Sequence, residues 1–287
     1  VSTVTSLSNY SFAFNGFVFG GGSSPYQVLQ VDGLEGLPTL RVQDSDRGYQ
    51  DGMISGRDFL AARTITVTLQ IMGGNGLSAQ ANYNLLQAAL QPQQNGTSTL
   101  QFQLSNAGGL QFINARVRKN LVTIDPDYTY GKIKAQYDFF CPDPRYYDNA
   151  VNTTSLTVQT PLGRGYNRTY NVTYGGGSQT NTGLVINQGT TTTYPTITIV
   201  GPATNPTVGS YTSGQFISLN YSMVSTDTLV INLLNRTILL NGNPARNLVS
   251  NSSQWFGAPP GTSQYYFTAT GTTAGAGATI NYYNAYI

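Results

Sequence analysis

Residues 64–72 alternate without a break, with Ile65, Val67, Leu69 and Ile71 apolar and Thr64, Thr66, Thr68 and Gln70 polar. Period two sustained over this length predicts a strand with one buried face. Leu40 and Val42 read as the end of its partner strand. Between the two lie residues 44–62, too many for a tight hairpin. A loop of that length in a compact domain marks a functional or disordered segment. Together with Arg63 it carries Asp44, Asp46, Arg47, Asp51, Arg57 and Asp58, in a chain whose charged residues make up only 9%. A charge-rich arm rooted on a rigid strand predicts a segment that grips something outside its own domain.

Other patterns fill in the first half. Phe12, Phe14, Phe17 and Phe19 flank Asn15-Gly16, a hairpin signal. Residues 26–31 read as a further strand. Ala79, Tyr83, Leu86 and Leu90 recur at helical spacing, with Leu85 and Ala89 widening the stripe. Ser78 supplies an N-cap and Pro92 a stop, so a helix is expected over about 78–91. Alone it is marginal and has to dock on a sheet. Leu100, Phe102 and Leu104 mark another strand, residues 110–117 its return. Residues 132–141 alternate again, with Ile133, Ala135, Tyr137, Phe139 and Cys141 inward. The first domain is therefore expected over 1–145, as an antiparallel β-sandwich or split barrel with one packed helix.

Pro142 and Pro144 interrupt any ladder, which places the junction there. Beyond it charge nearly vanishes and Thr, Asn, Gly and Tyr dominate. Short strands separated by turns are expected at 156–158, 169–174, 184–186, 196–200, 216–221, 229–233, 237–240, 265–269 and 278–286. That spacing reads as a β-sandwich over 146–287. No repeat of fixed period is visible.

Composition narrows the chemistry. The chain has 287 residues, no histidine and one cysteine, which removes Ser-His-Asp and Cys-His catalysis, imidazole metal sites and a disulfide framework. Glu35 is the only glutamate. The aspartates of the arm lie among arginines that are expected to pair with them and hold them ionised, so no acid–base dyad is assigned. Asp44-x-Asp46-x-Gly48 fails the calcium-loop pattern after its third position. The triple glycines at 20–22 and 175–177 lead into no Lys-Ser or Lys-Thr helix and are not phosphate loops. Cys141 stands on the inward phase of its strand and reads as a buried thiol. The net charge of +2 with no basic stripe speaks against sequence-specific nucleic-acid binding. No apolar run is long enough to span a membrane, and residues 1–10 show no signal-peptide pattern, so synthesis in a cytoplasm is expected. No catalytic residue, cofactor or metal is expected. A surface poor in charge has little repulsion to hold copies apart, which suits an assembly. Trp255 reads either as a core residue or, with Tyr265, as an aromatic contact for a sugar.

Taken together these stretches resemble the distal tail (Dit) family of long-tailed, non-contractile phages. Four segments carry the resemblance: residues 33–73 with Gly56, Arg57, Asp58 and Arg63; the helix; the junction CPDPRYYD, similar to an Asp-Pro-x-x-Tyr junction of actinobacterial phage minor tail proteins; and residues 194–267, which look like a galectin-like domain. The resemblance implies a homohexameric ring of the virion. The first domain would meet the tail tube and the second, galectin-like domain would project outward to tail-tip proteins. The ring would be assembled in the host bacterial cytoplasm. It places Asp44, Asp46, Arg47, Arg57, Asp58 and Arg63 as subunit-interface or loop-anchoring residues. The alternative it leaves open is a host adhesin that binds cell-wall carbohydrate. Residues 151–185 are longer and richer in Thr and Gly than the resemblance implies, and read as a linker or as extra strands.

Overall fold

The computed structural model describes residues 4–74, 77–105, 108–157, 181–270 and 276–287. The chain divides into two compact units, Val1–Asn149 with Tyr286–Ile287, and Ala150–Ala285. The expected break at 145 falls short of this division, because the chain resumes pairing after Pro144.

In the first unit the strands are β1 (Ser11–Phe14), β2 (Phe17–Gly20), β3 (Tyr26–Asp32), β4 (Leu40–Arg41), β5 (Ser45–Asp46), β6 (Met53–Ile54), β7 (Phe59–Leu60) and β8 (Arg63–Met72). Helix α1 (Ala79–Ala89), β9 (Ser98–Gln103), β10 (Gln111–Thr123), β11 (Lys132–Cys141) and β12 (Tyr146–Asp148) follow. The antiparallel order is β2-β1-β9-β10-β11-β8-β3. Strand β10 explains how one path becomes two layers. Its first half, Gln111 to Ala115, pairs with β9, and from Arg116 onward it pairs with β11, with a register shift between Val117 and Lys119. A bulge of this kind bends a sheet. The layers meet in an aromatic core, where Phe14 meets Phe139 edge-on at 5.4 Å and Phe17 meets Tyr26 at 5.2 Å.

Local sequence accounts for most of these elements. Asn15 and Gly16 both have positive φ, 52° and 82°, as a two-residue turn of the primed type requires, and Phe14 faces Phe17 across it. In β8 and β11 all the apolar positions of the alternation are buried. Two expectations fail. The partner of β8 on its outer side is β3, paired from Tyr26↔Ile71 to Asp32↔Thr66, and Leu40 instead faces Leu60. The helix buries Ala79, Asn82 and Leu86, while Leu85 is exposed. Asn82 replaces an apolar stripe residue because its amide donates to the Met72 carbonyl at 2.8 Å and its own carbonyl accepts from the Tyr26 hydroxyl at 3.1 Å. The Ser78 hydroxyl accepts from the Ala81 N–H at 3.2 Å, as a cap does.

Cys141 is buried beside Arg63. Burial pushes its thiol up to about 12, against the pull of the Arg63 charge and with a smaller push from Asp143. A thiol so placed is not a nucleophile at neutral pH. Alkylation by iodoacetamide is expected to be below roughly a tenth of its rate in the denatured chain, measured by intact mass.

The second unit holds β13 (Asn152–Thr157), β14 (Thr182–Asn187), β15 (Thr196–Val200), β16 (Ala203–Ser210), β17 (Phe216–Ser218) and β18 (Ser222–Met223). Strands β19 (Thr228–Asn232), β20 (Thr237–Leu240), β21 (Asn243–Pro244), β22 (Gly261–Thr270) and β23 (Gly277–Tyr282) complete it. A sheet of order β13-β23-β15-β19-β20-β21 packs on one of order β14-β22-β16-β17, with β18 beside β16. Ile197, Ile231, Ile280, Val208, Tyr265 and Phe267 are fully buried between the layers. The mainly β, two-layered architecture expected of both halves is present.

Strand β16 was not anticipated, because Pro206 and a positive φ of 49° at Asn205 interrupt it. The ladder to β22 skips from Thr204 to Thr207, which accommodates both. The expected strand over 216–221 is shorter, and that over 278–286 ends at Tyr282. The strand expected at 169–174 lies outside the described residues.

One rim of the second sandwich is closed by side chains. The outer backbone groups of β14 would otherwise be free for another strand. Thr154 donates to the Leu184 carbonyl at 2.8 Å, the Tyr282 hydroxyl accepts from Ile186 N–H at 2.9 Å, and Asn284 accepts from Gln188 N–H at 3.0 Å.

Candidate functional site

The arm between Thr39 and Phe59 is the longest run of exposed residues among the described residues of the first unit. Every residue from Thr39 to Phe59 is exposed. Two short ladders give it form, Leu40↔Leu60 with Arg41↔Phe59 at the root, and Ser45↔Ile54 with Asp46↔Met53 farther out. The tip closes through a hydrogen bond from Arg47 N–H to the Gly52 carbonyl at 3.4 Å. Between the ladders, Asp44 accepts from the Gly56 N–H at 2.8 Å. Glycine is required there: a Cβ at Gly56 would lie 2.0 Å from the Gln43 carbonyl oxygen. Gly56→Ala is therefore expected to open the arm. Limited proteolysis should cut it several-fold faster, while thermal unfolding shifts by less than about 1 kcal/mol in stability.

The charges of the arm are arranged differently from the expectation. Among the described residues the ion pairs lie elsewhere, Lys134 with Asp125 and Asp127, and Arg145 with Asp143. The spacing of the two ladders leaves Arg41 and Arg57 on the Phe59 ring instead, with guanidinium carbons 5.2 and 5.3 Å from its centroid. What sequence reasoning missed is the apolar content. Leu40, Val42, Tyr49, Met53, Ile54 and Phe59 all stand exposed on this one ribbon, Met53 and Ile54 by 55% and 56%. The signal was present as apolar residues scattered through a charge-rich loop. Asp46, Arg47, Tyr49 and Ile54 line a cleft of about 500 Å³ at the tip.

Arg63 stands apart from Asp44, Asp46, Arg47, Arg57 and Asp58. It is 3% exposed, so it is not available to a second subunit. Its guanidinium donates to the carbonyls of Leu34 and, at 3.0 Å, of Gly36, and lies 5.9 Å from the Tyr146 ring centroid. Burial lowers its pKa, with Tyr146 and Cys141 acting in the opposite sense. Of the two roles expected for it, only that of an anchor fits this position: it ties the turn that leads into the arm to the base of β8. The junction is built in a similar way. Asp143 accepts from Arg145 at 2.9 Å and from the Tyr147 hydroxyl at 2.6 Å.

The alternative of a sugar contact does not fit Tyr265, whereas Trp255 is half-buried. Tyr265 is fully buried, because Ser263, Tyr265 and Phe267 form the inward phase of β22. Trp255 packs partly against the same core, and Arg246 sits 5.8 Å from its ring centroid. No cluster of three or more His, Cys, Asp or Glu able to hold a metal occurs among the described residues. No helix among them is long and apolar enough to cross a membrane.

Comparison with known proteins adds the family. Residues 188–286 match the model of the siphovirus-type tail component, C-terminal domain. That match covers about a third of the chain, in its second half, and likens this part to the C-terminal domain of the Dit tail components. The fold of the chain is similar to that of the Dit (gp 19.1) protein of phage SPP1, described as a paradigm of the hub adsorption apparatus in phages infecting Gram-positive bacteria. The match has a TM-score of 0.67 at 17% identity, over 96% of this chain and 99% of that one. A chain of the phage P2 baseplate in its activated conformation matches with a TM-score of 0.48 at 11% identity, over 94% of this chain and 97% of that one. No curated protein matches in sequence.

Proposed function

We propose that this chain is a Dit-family structural component of a phage tail and forms a homohexameric ring at the distal end of a long tail, joining the tail tube to the tip or baseplate. The observation that carries this reading is the arm. Twenty-one consecutive exposed residues bearing six exposed apolar side chains have no covering surface in their own unit. Exposed apolar patches of this kind mark contact sites, and each such side chain contributes roughly 1.5–3 kcal/mol when fully buried. An arm that reaches a different surface on the next copy makes a head-to-tail contact, and a head-to-tail contact that closes makes a ring. Asp44, Asp46, Arg47, Arg57 and Asp58 then fix register at the rim of the contact more than its strength. In this reading the first domain, 1–145, meets the tail tube protein. The second, the galectin-like domain of 146–287, carries tail-tip proteins. The chain performs no catalysis and works in the virion after assembly in the host bacterial cytoplasm.

The test is the mass of the purified full chain by sedimentation, alone and mixed with its tail partners, together with electron microscopy. A sixfold ring is the expected result. A single chain at all concentrations, alone and with the partners, overturns the reading.

A further inference from the structure

The second unit carries an aromatic surface that the ring does not explain. Strands β14, β22, β16, β17 and β18 contain no Asp, Glu, Lys or Arg. The outward positions of their sheet line up in rows. One row runs Thr182, Tyr266, Gly209, Phe216; the next holds Leu184 opposite Gln264, whose carbonyl accepts from the Tyr211 N–H at 2.8 Å. Gly209 leaves a gap in the first row. The Tyr266 ring lies across it, so close that a Cβ at Gly209 would be 2.6 Å from the Tyr266 hydroxyl oxygen. Covering that glycine explains Tyr266. It does not explain Tyr211, which stacks against Tyr266 with centroids 4.4 Å apart and planes tilted by 32°, yet stays 58% exposed. The Gln264 side chain is exposed beside the pair, and Thr212 accepts from the Gln264 N–H at 2.9 Å.

We propose that Tyr211 and Tyr266, with Gln264, form a binding face for a neutral saccharide. A sugar ring has an apolar C–H face that packs on an aromatic plane and a rim of hydroxyls that exchange hydrogen bonds with amides and phenols. A sheet without charge offers nothing to a phosphate backbone or an anionic lipid headgroup. Stacked tyrosines bring broad contact area at low conformational cost. The face does not depend on the ring, since it lies within the second unit.

The test is titration of the full chain with neutral saccharides: glucose, galactose, N-acetylglucosamine and their short oligomers. Ligand binding is followed by calorimetry and by saturation transfer from the protein to ligand protons. Saturable binding of at least one of them is expected. Tyr211→Ala should weaken it about tenfold or more, Tyr211→Phe by less than about threefold, and neither should change the melting temperature, because Tyr211 is exposed. Absence of saturable binding across the panel overturns the proposal. So does binding that survives Tyr211→Ala unchanged, or a Tyr211→Ala variant that binds no sugar but sediments as a smaller species than the parent, which would make the face a contact between copies. Ring formation is read separately, so loss of one result leaves the other standing.

Discussion

A chain carrying Tyr49→Ser, Met53→Ser and Ile54→Ser is expected to fold normally and to remain a monomer where the parent self-associates. The three side chains lie on the outer ladder and tip of the arm and touch no core residue, so unfolding of the first unit should move by less than about 1 kcal/mol. Their loss removes up to roughly 4–9 kcal/mol of apolar burial from every contact if all three are covered there. Even half of that weakens one contact by more than about thirtyfold, and a ring repeats the loss at every interface. Sedimentation of parent and variant at matched concentration reads the difference. Arg57→Ala is the companion: it removes one charge and one guanidinium from the Phe59 ring, and should weaken assembly by only about threefold to tenfold, more at low salt than at high. An equal effect of the two variants would mean that charge, and not apolar contact, drives association.

Arg63→Ala is expected to act on the other side of the problem. Here the first unit should lose roughly 2–4 kcal/mol, because two carbonyls held by a charged donor lose it inside the protein. For a unit of this size that corresponds to a fall of about 5–12 °C in its unfolding transition. Arg63→Lys restores a charge but not the planar fork that reaches Leu34 and Gly36 together, and should recover less than about half of the loss. Differential scanning calorimetry of the full chain separates this transition from that of the second unit. If the melting temperature holds and only assembly fails, Arg63 belongs to the interface after all.

These two variants also mark where sequence reasoning reached and where it stopped. The alternation of β8 and β11, the Asn15-Gly16 turn and the Ser78-capped helix were legible, because each depends on residues within a few positions of one another. Arg63 was recognised as important and given two roles, interface or anchor. Choosing between them needed the path of residues 33–36, which a reading of linear pattern does not supply. The arm was found from its length and charge, yet its apolar residues were passed over, since exposure in an irregular segment has no periodic signature. Strand β16 was hidden by Pro206, whose penalty in a ladder is relieved here by a skipped register. Tyr266 was within reach. The run from Ser263 to Thr268 alternates small or apolar with polar, and that phase already turns Tyr265 inward and Tyr266 outward.

The hydrogen bonds that Thr154 donates to β14, and that Tyr282 and Asn284 accept from β14 and from the residue after it, have a consequence for crowding. Open strand borders invite neighbouring sheets to fuse into continuous ribbons, and the danger grows when identical subunits are held at high local density. Three side chains occupy that border here. If copies of this chain assemble as proposed, that border is closed to zipping between them, and association is left to exposed side chains such as those of the arm.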